Sequence, residues 1–417
     1  MLKRSLFHRL TPDPSLEFLE LREHFVPFRV DVLMERILAD DRLSAENQLQ
    51  FQELRKLFAA RFHFEYYETL ESLKRDFVPF DEDRDTQETP DRLKTDIDTK
   101  FSRLYEGLKF LLDRCNFVEM TPKQLDACLK LQPIGGLSVH VDKEDFSKFD
   151  VFYRGIRKKD VPERRFFFFE RTRTKKVFSR VFVIARMNEK NGGCFFAKMF
   201  KDVLVENLKI VVPKVRLGMP IFDRLKIGGT VFGSLATTIF KVFSAFMLSW
   251  WLFMIVLSSL VIATFKGILS FLSSKTKYLH VFSSNLYYLT VSNNEAALTS
   301  LVDAAEEQEL KEVLLAYYML FVLRDRDLTL EQLDETIEDW LAEQFGWNTD
   351  FEVDDAVRKL EEKGLFVSRE GILKVYDLPS TLRRLDKSWD ELFSYNDSGV
   401  VFDDRIANGD WPPFPRS

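Results

Sequence analysis

Only three cysteines and five histidines occur in 417 residues. Cys115, Cys128 and Cys194 are odd in number and lack metal-ligand spacing, which excludes a disulfide framework and a thiolate zinc site. His8, His24, His63, His140 and His280 are scattered with no i,i+4 pair, so the zinc-protease arrangement is absent. No G-x-x-x-x-G-K-[ST], G-x-G-x-x-G or G-x-S-x-G motif occurs. The acidic tetrad Glu306 to Glu309, "EEQE", lacks the Glu-x-x-His partners of a bundle di-iron site and reads as a solvated helix face. With no catalytic constellation, the expectation is a chain that is not an enzyme and uses no cofactor or metal. The start, "MLKRSLFHRLTPDPSLEF", has no apolar core of roughly 7–15 residues, which disfavours export.

Excess charge of one sign is also missing, since 60 Lys+Arg stand against 66 Asp+Glu. A dedicated nucleic-acid binder is disfavoured on that balance. The charges are nevertheless segregated. Arg154 to Lys226 holds 20 basic and 7 acidic residues, a net of +13, whereas Asp303 to Lys363 holds 6 basic and 19 acidic, a net of −13.

Between these blocks lie the 48 residues from Ile227 to Ser274, whose only charges are Lys241 and Lys266. Val242 to Phe265 alone supplies 24 uncharged residues, more than the roughly 20 that cross a bilayer core. The basic flanks are symmetric, so a single span gives the positive-inside rule nothing to choose between. A two-helix transmembrane hairpin, about 227–247 and 252–272, puts both flanks on one side. Trp250 and Trp251 would then sit at the far interface, and Lys226, Lys241 and Lys266 at the membrane surfaces.

The rest of the chain divides by pattern. Residues 1–80 read as a helical region, with Leu54, Phe58, Phe62, Tyr66, Leu70, Leu73 and Phe77 on one helix face. Residues 81–136 form a polar linker and a helical pair, the second helix opened by the capping-box spacing Thr121-Pro122-Lys123-Gln124. Residues 137–226 read as a basic α+β domain of short aromatic and β-branched strands, a small antiparallel sheet. Within it "RRFFFFERTR" is expected to be a strand buried on both faces that emerges into a basic edge. Residues 280–397 form an acidic domain of three helices and a β-hairpin, which resembles a winged helix, and 398–417 a tail. Its third helix holds Glu352, Asp354, Asp355, Glu361 and Glu362 against Arg358, Lys359 and Lys363. Such a surface repels phosphates, so the module is expected to bind a protein partner and not nucleic acid. The fold class expected is thus an α+β membrane protein: helical N-terminal region, small antiparallel sheet, two-helix transmembrane hairpin and winged-helix-like C-terminal domain.

The basic domain carries the most physical candidate site. Arg171, Arg173, Lys175, Lys176 and Arg180 cluster in sequence close to the apolar segment. Clustered cations near an anionic leaflet gain about 1 kcal/mol each, which makes these five candidate anionic-lipid contacts. The competing reading is that the +13 block docks on the −13 block of the same chain.

"FVPFRVDVLMERIL", "FHFEYYETLESLKRDFVPFDED", "FFFFERTRTKKV", "MPIFDRLKIGG", "NLYYLTVSNNEAALTSLVDAAEEQELKEVLLAYYML" and "DFEVDDAVRKLEEKGL" together resemble the transmembrane-protein-143-like family, membrane proteins with a domain of unknown function. The resemblance runs from about His24 to Asp397. It implies a two-helix membrane segment between a mixed domain and a helical one, and it carries no activity or catalytic residue. Acidic residues from Asp13 onward depart from a mitochondrial presequence. The expected location is therefore a bacterial inner membrane, or a mitochondrial membrane if the chain is eukaryotic. The functional expectation is a membrane-anchored scaffold or adaptor with its soluble domains on the cytoplasmic side; the alternative is an anionic-lipid-binding or lipid-handling protein.

Overall fold

The computed structural model describes residues 19, 24–81, 97–131, 138–165, 169–188, 194–213, 216–218, 290–369 and 371–392, with a subset of positions between 251 and 289. These residues build a mixed α/β protein around a five-stranded antiparallel sheet. Two compact units emerge, Met1–Phe25 with Leu70–Asp303, and Val26–Thr69 with Ala304–Ser417.

The first unit contains the sheet. Its strands are β1 (Val118–Glu119), β3 (Phe146–Arg165), β4 (Phe169–Met187), β5 (Phe195–Leu204) and β7 (Thr290–Asn293), in the order β1-β3-β4-β5-β7. A short pair, β2 (Ser138–His140) and β6 (Arg216–Gly218), stands apart. Helix α3 (Ile97–Arg114) places Leu104, Leu108, Leu111 and Leu112 at three-to-four spacing and buries them. On its side of the sheet Tyr105 donates to the Asp150 carboxylate at 3.0 Å, and Phe195 meets the rings of Phe77, Phe80 and Phe101 at 5.7–6.0 Å. The other face packs Val151, Val181, Val183 and Phe200 against Leu125 and Cys128 of α4 (Pro122–Lys130) and Leu208 of a 3-10 segment (Val205–Val211). Helix α4 is fixed at its start by a full capping box: the Thr121 hydroxyl accepts from the Gln124 amide, and the Gln124 side chain accepts from the Thr121 amide.

The second unit is helical. It comprises α1 (Val30–Leu38), the first part of α2 (Ala45–Phe77), most of α5 (Glu295–Val322), α6 (Leu330–Phe345), α7 (Val353–Glu362), the hairpin β8 (Phe366–Arg369) and β9 (Ile372–Val375), and α8 (Leu378–Asp390). Helix α5 is buried all round from Gln308 to Phe321, as expected of the central helix of a helical core. Phe51, Leu54, Phe58 and Phe62 of α2 line the same core, Phe51 lying edge-on to Tyr317, Tyr318 and Phe321. Thr329 caps α6 with a second capping box, and Gly346 ends it in the left-handed conformation with φ 64°.

Two expectations are corrected. The transmembrane hairpin is overturned by the helices themselves: among the described residues, no helix is long and apolar enough to cross a membrane. A span needs about 20 uninterrupted apolar residues. The longest helices, α2 with 33 residues and α5 with 28, carry charges along their length, including Glu306, Glu307, Glu309, Lys311 and Glu312 in α5. Of the expected hairpin itself, residues 227–250 and much of 251–272 lie outside the described residues. The second correction concerns "RRFFFFERTR". Arg165 ends β3 and pairs with Phe169, which begins β4, so the described parts of this stretch belong to two strands and not one; residues 166–168 lie outside the described residues.

Candidate functional site on the basic ribbon

The two longest strands, β3 and β4, pair in one register from Lys148↔Arg186 to Arg165↔Phe169. Strand β5 flanks β4 only from Arg186 back to Val177. Beyond Arg157↔Val177 the pair continues as a two-stranded ribbon with no further strand beside it among the described residues. The sequence of this ribbon, 157–176, contains nine Lys/Arg and three Asp/Glu.

The junction between sheet and ribbon is a row of irregularities. Gly155 has φ 76° and Asp202 φ 54°, and the regular pairing skips both, together with Ser179 between them. The inward alternation skips a residue at the same level in all three strands: Tyr153 then Ile156, Val181 then Phe178, Phe200 then Val203. A left-handed residue reverses the side on which the following side chains emerge, as in a β-bulge. Glycine meets no Cβ penalty there, and aspartate tolerates the conformation better than most residues.

Like charges then face each other across the ribbon, Lys158 opposite Lys176 and Lys159 opposite Lys175. Such pairs repel. Nearby carboxylates relieve part of the repulsion. Asp202 accepts from Arg157 and, at 3.3 Å, from Lys159. Burial pushes the Asp202 carboxyl up, but the hydrogen bonds and charges of Arg157 and Lys159 outweigh it and hold the group below the usual carboxylate range. Lys175 donates to Glu206 at 2.6 Å, and the Thr174 hydroxyl donates to Asp160 at 2.6 Å.

Four of the five candidate lipid contacts are on the ribbon. Arg171 is in β4 opposite Glu163, its side chain outside the described residues. Arg173 is exposed opposite Val161; Lys175 is turned to Glu206; Lys176 is half-buried and reaches the Leu19 carbonyl at 3.5 Å. Arg180 is set apart at the irregular row, half-buried and donating to the Ser179 carbonyl at 3.1 Å. Burial lowers its pKa, with Asp202 opposing and Arg157 adding to the effect. Arg157, Lys158 and Lys159 belong to the same basic stretch that the sequence offers for lipid headgroups, whereas Asp202 and Glu206 carry no signal in the sequence that assigns them to this site. Where β5 leaves β4 at Leu204, a cavity of about 400 Å³ opens, with Arg173, Lys175, Lys176, Val205 and Glu206 in its wall.

Of the candidate membrane-interface residues, Lys226, Lys241 and Trp250 lie outside the described residues, whereas Trp251 and Lys266 are helical and exposed. No cluster of three or more His, Cys, Asp or Glu that could hold a metal is found among the described residues. The tetrad at Glu306 to Glu309 is not a solvated face. Glu306 faces His63 at 3.1 Å, and Glu309 is buried, 2.7 Å from Lys359. The ammonium of Lys359 also meets Glu312 at 2.8 Å and Asp355 at 2.5 Å, a buried ion network with no sequence signal beyond its residue types.

No solved structure matches the chain. A family model described as a protein of unknown function, DUF3754, matches residues 171–296, so a domain of that kind begins on the second strand of the ribbon and takes in Glu206.

Proposed function

We propose that this chain is a non-enzymatic protein that binds anionic, phosphate-bearing surfaces, lipid headgroups in particular, through the β3–β4 ribbon. The observation that carries the reading is the cationic ribbon running past its flanking strand with lysine opposite lysine on both faces. An external anionic surface relieves that repulsion and gains about 1 kcal/mol per Lys or Arg held near it. The working location is the surface of a bacterial inner membrane, or of a mitochondrial membrane in a eukaryote. Membership of the transmembrane-protein-143-like family is part of this proposal and rests on the segments quoted above. Cosedimentation of the full chain with anionic vesicles tests it. Neutralising Lys158, Arg173 and Lys176 together is expected to weaken binding by about 3 kcal/mol, more than 100-fold, with a shallower salt dependence. Unchanged affinity for anionic over zwitterionic vesicles rejects the reading.

A second reading, a scaffold or adaptor, is favoured by the helical unit. Burial and the neighbouring Glu338, Asp350, Asp354 and Glu335 push the Asp334 carboxyl up to about 6. A basic partner would relieve this crowding. Cross-linking with mass spectrometry is then expected to find one stoichiometric partner at 303–397, and the absence of any such partner removes the reading.

A further inference from the structure

We infer that the cavity where α3 meets the edge strand β1 is a binding site for a small aliphatic diamine. None of its wall belongs to the ribbon, and the inference does not depend on the surface-binding reading. The cavity measures about 370 Å³, at the lower end of small-molecule sites of roughly 300–1,000 Å³. Glu106, Lys109, Phe110 and Asp113 of α3 contribute to its wall together with Phe117, Glu119 of β1 and Phe152 of β3. Four of these side chains set its charge. Lys109 is committed to Glu119, its ammonium 2.9 Å from that carboxylate. Glu106 acts on Lys109 only through its field, and Asp113 has no hydrogen-bond or ion-pair partner among the described residues. The wall therefore keeps two unneutralised negative charges. The next cation along the helix, Arg114, is not part of the wall; it lies over the Phe110 ring, 5.2 Å from its centre.

Spacing selects the shape of the cation. Positions 106 and 113 are two helical turns apart, so their Cα atoms lie about 10 Å from each other on one face of α3, with Phe110 between them. Among the described residues, Glu106, Asp113 and Glu119 do not form a group that could hold a metal ion, so a compact dication does not match them. An extended one does. Each ammonium of a diamine, protonated near neutral pH like that of lysine, meets one carboxylate, whereas a single ammonium leaves the other unpaired. The methylene chain between the two nitrogens covers the apolar part of the wall. Phe110 is 46% exposed and offers that chain an open ring, and the buried Phe117 and Phe152 complete the apolar lining. An ammonium within about 6 Å of an aromatic face gains a further attraction.

Isothermal titration of the full chain with putrescine tests the site, with butylamine, choline and magnesium as comparisons. Putrescine is expected to bind at one site, more weakly as salt rises, and more tightly than butylamine or choline, each of which carries one charge. Glu106→Gln and Asp113→Asn are each expected to weaken binding by about three- to tenfold, the loss of one charge-assisted contact. Both side chains are exposed, so the fold tolerates either change. Phe110→Ala is expected to weaken binding with both carboxylates still in place. Lys109→Gln is expected to tighten it, because the substitution frees Glu119. Putrescine held by the acidic stretch 303–363 is unaffected by changes in α3, so binding that survives Glu106→Gln and Asp113→Asn combined in one chain overturns the site. The site is equally overturned if butylamine or choline binds as tightly as putrescine, if magnesium displaces putrescine at equal concentration, if Lys109→Gln weakens binding, or if millimolar putrescine does not bind.

Discussion

Replacing Lys359 by Met removes the cation that two nearly inaccessible carboxylates, Glu309 and Glu312, share. In the native protein Glu309 and Glu312 have side-chain exposures of 4% and 3%, and both lie within 2.8 Å of the Lys359 ammonium. The remaining acceptors are partly satisfied, with Tyr66 donating to Glu309 at 3.1 Å and Gln308 to Glu312 at 2.8 Å. Burial opposes charge on Lys359, but Glu312, Glu309 and Asp355 outweigh it and raise its pKa above the ordinary 10.5. A group raised in this way stabilises the fold fully below its ordinary pKa and loses that contribution only as pH rises through the folded value. The native protein is therefore expected to show no change in stability from this lysine across the neutral range. Lys359→Met preserves the length of the side chain and strands the carboxylates, at a cost of about 3–5 kcal/mol. For a unit of this size that corresponds to a fall of about 6–20 °C in Tm. The stranded carboxyls take raised pKa values, so the deficit is expected to shrink as pH falls from about 8 to about 5, where protonation neutralises them. Adding Glu309→Gln and Glu312→Gln to Lys359→Met is expected to recover most of the loss, because a network removed as a whole is close to neutral. Thermal melts by circular dichroism across that pH range measure each quantity. A Lys359→Met protein whose deficit is the same at both ends of the range, or one not rescued by the glutamines, refutes the reasoning.

Further outcomes follow from other sites. Asp202→Asn keeps a residue that tolerates φ 54° while removing the charge that pairs with Arg157 and Lys159. Because the Asp202 pKa is lowered on folding, its contribution is present above the ordinary carboxylate pKa and lost as pH falls through the folded value; the variant is expected to be less stable at neutral pH and to match the native protein in strong acid, as read from acid-titrated melts. Asp334→Asn is expected to act in the opposite direction, since a carboxyl raised to about 6 destabilises the charged fold: the gain appears above that pH and vanishes below the ordinary value of 3.8, as read from urea midpoints. Gly155→Ala, at φ 76°, is expected to cost about 1–2 kcal/mol in the same assay, whereas Gly107→Ala acts for a different reason, its Cβ falling 2.5 Å from Leu73 Cδ2, so that the leucine side chain must shift.

Much of the local structure was legible because it depends on near neighbours. The boxes at Thr121–Gln124 and Thr329–Gln332, the left-handed stop at Gly364, and the apolar stripe of α2 are local features of the sequence. The strand content of 146–187 was legible as well, from its aromatic and β-branched residues, but its division was not. A ladder of cross-strand pairs carries β3 and β4 as two long strands through the charged stretches where side-chain pattern alone suggests short ones. The helical signal of 45–77 likewise gave no hint that its first part joins the unit built on Ala304–Ser417.

The sequence by itself determined the +13 and −13 blocks, the missing catalytic motifs, and the caps and periodicities that place most helices. Tertiary structure alone decided which charges are surface and which are core. Lys359 and Glu309 read as ordinary helix-surface residues, yet both are buried against each other, while Lys158 and Arg173 extend past the edge of β5. The physical reason is that a charge can be buried only if a partner of opposite sign arrives from elsewhere in the chain. Lys359 and Glu309 are 50 positions apart, a separation no local pattern encodes.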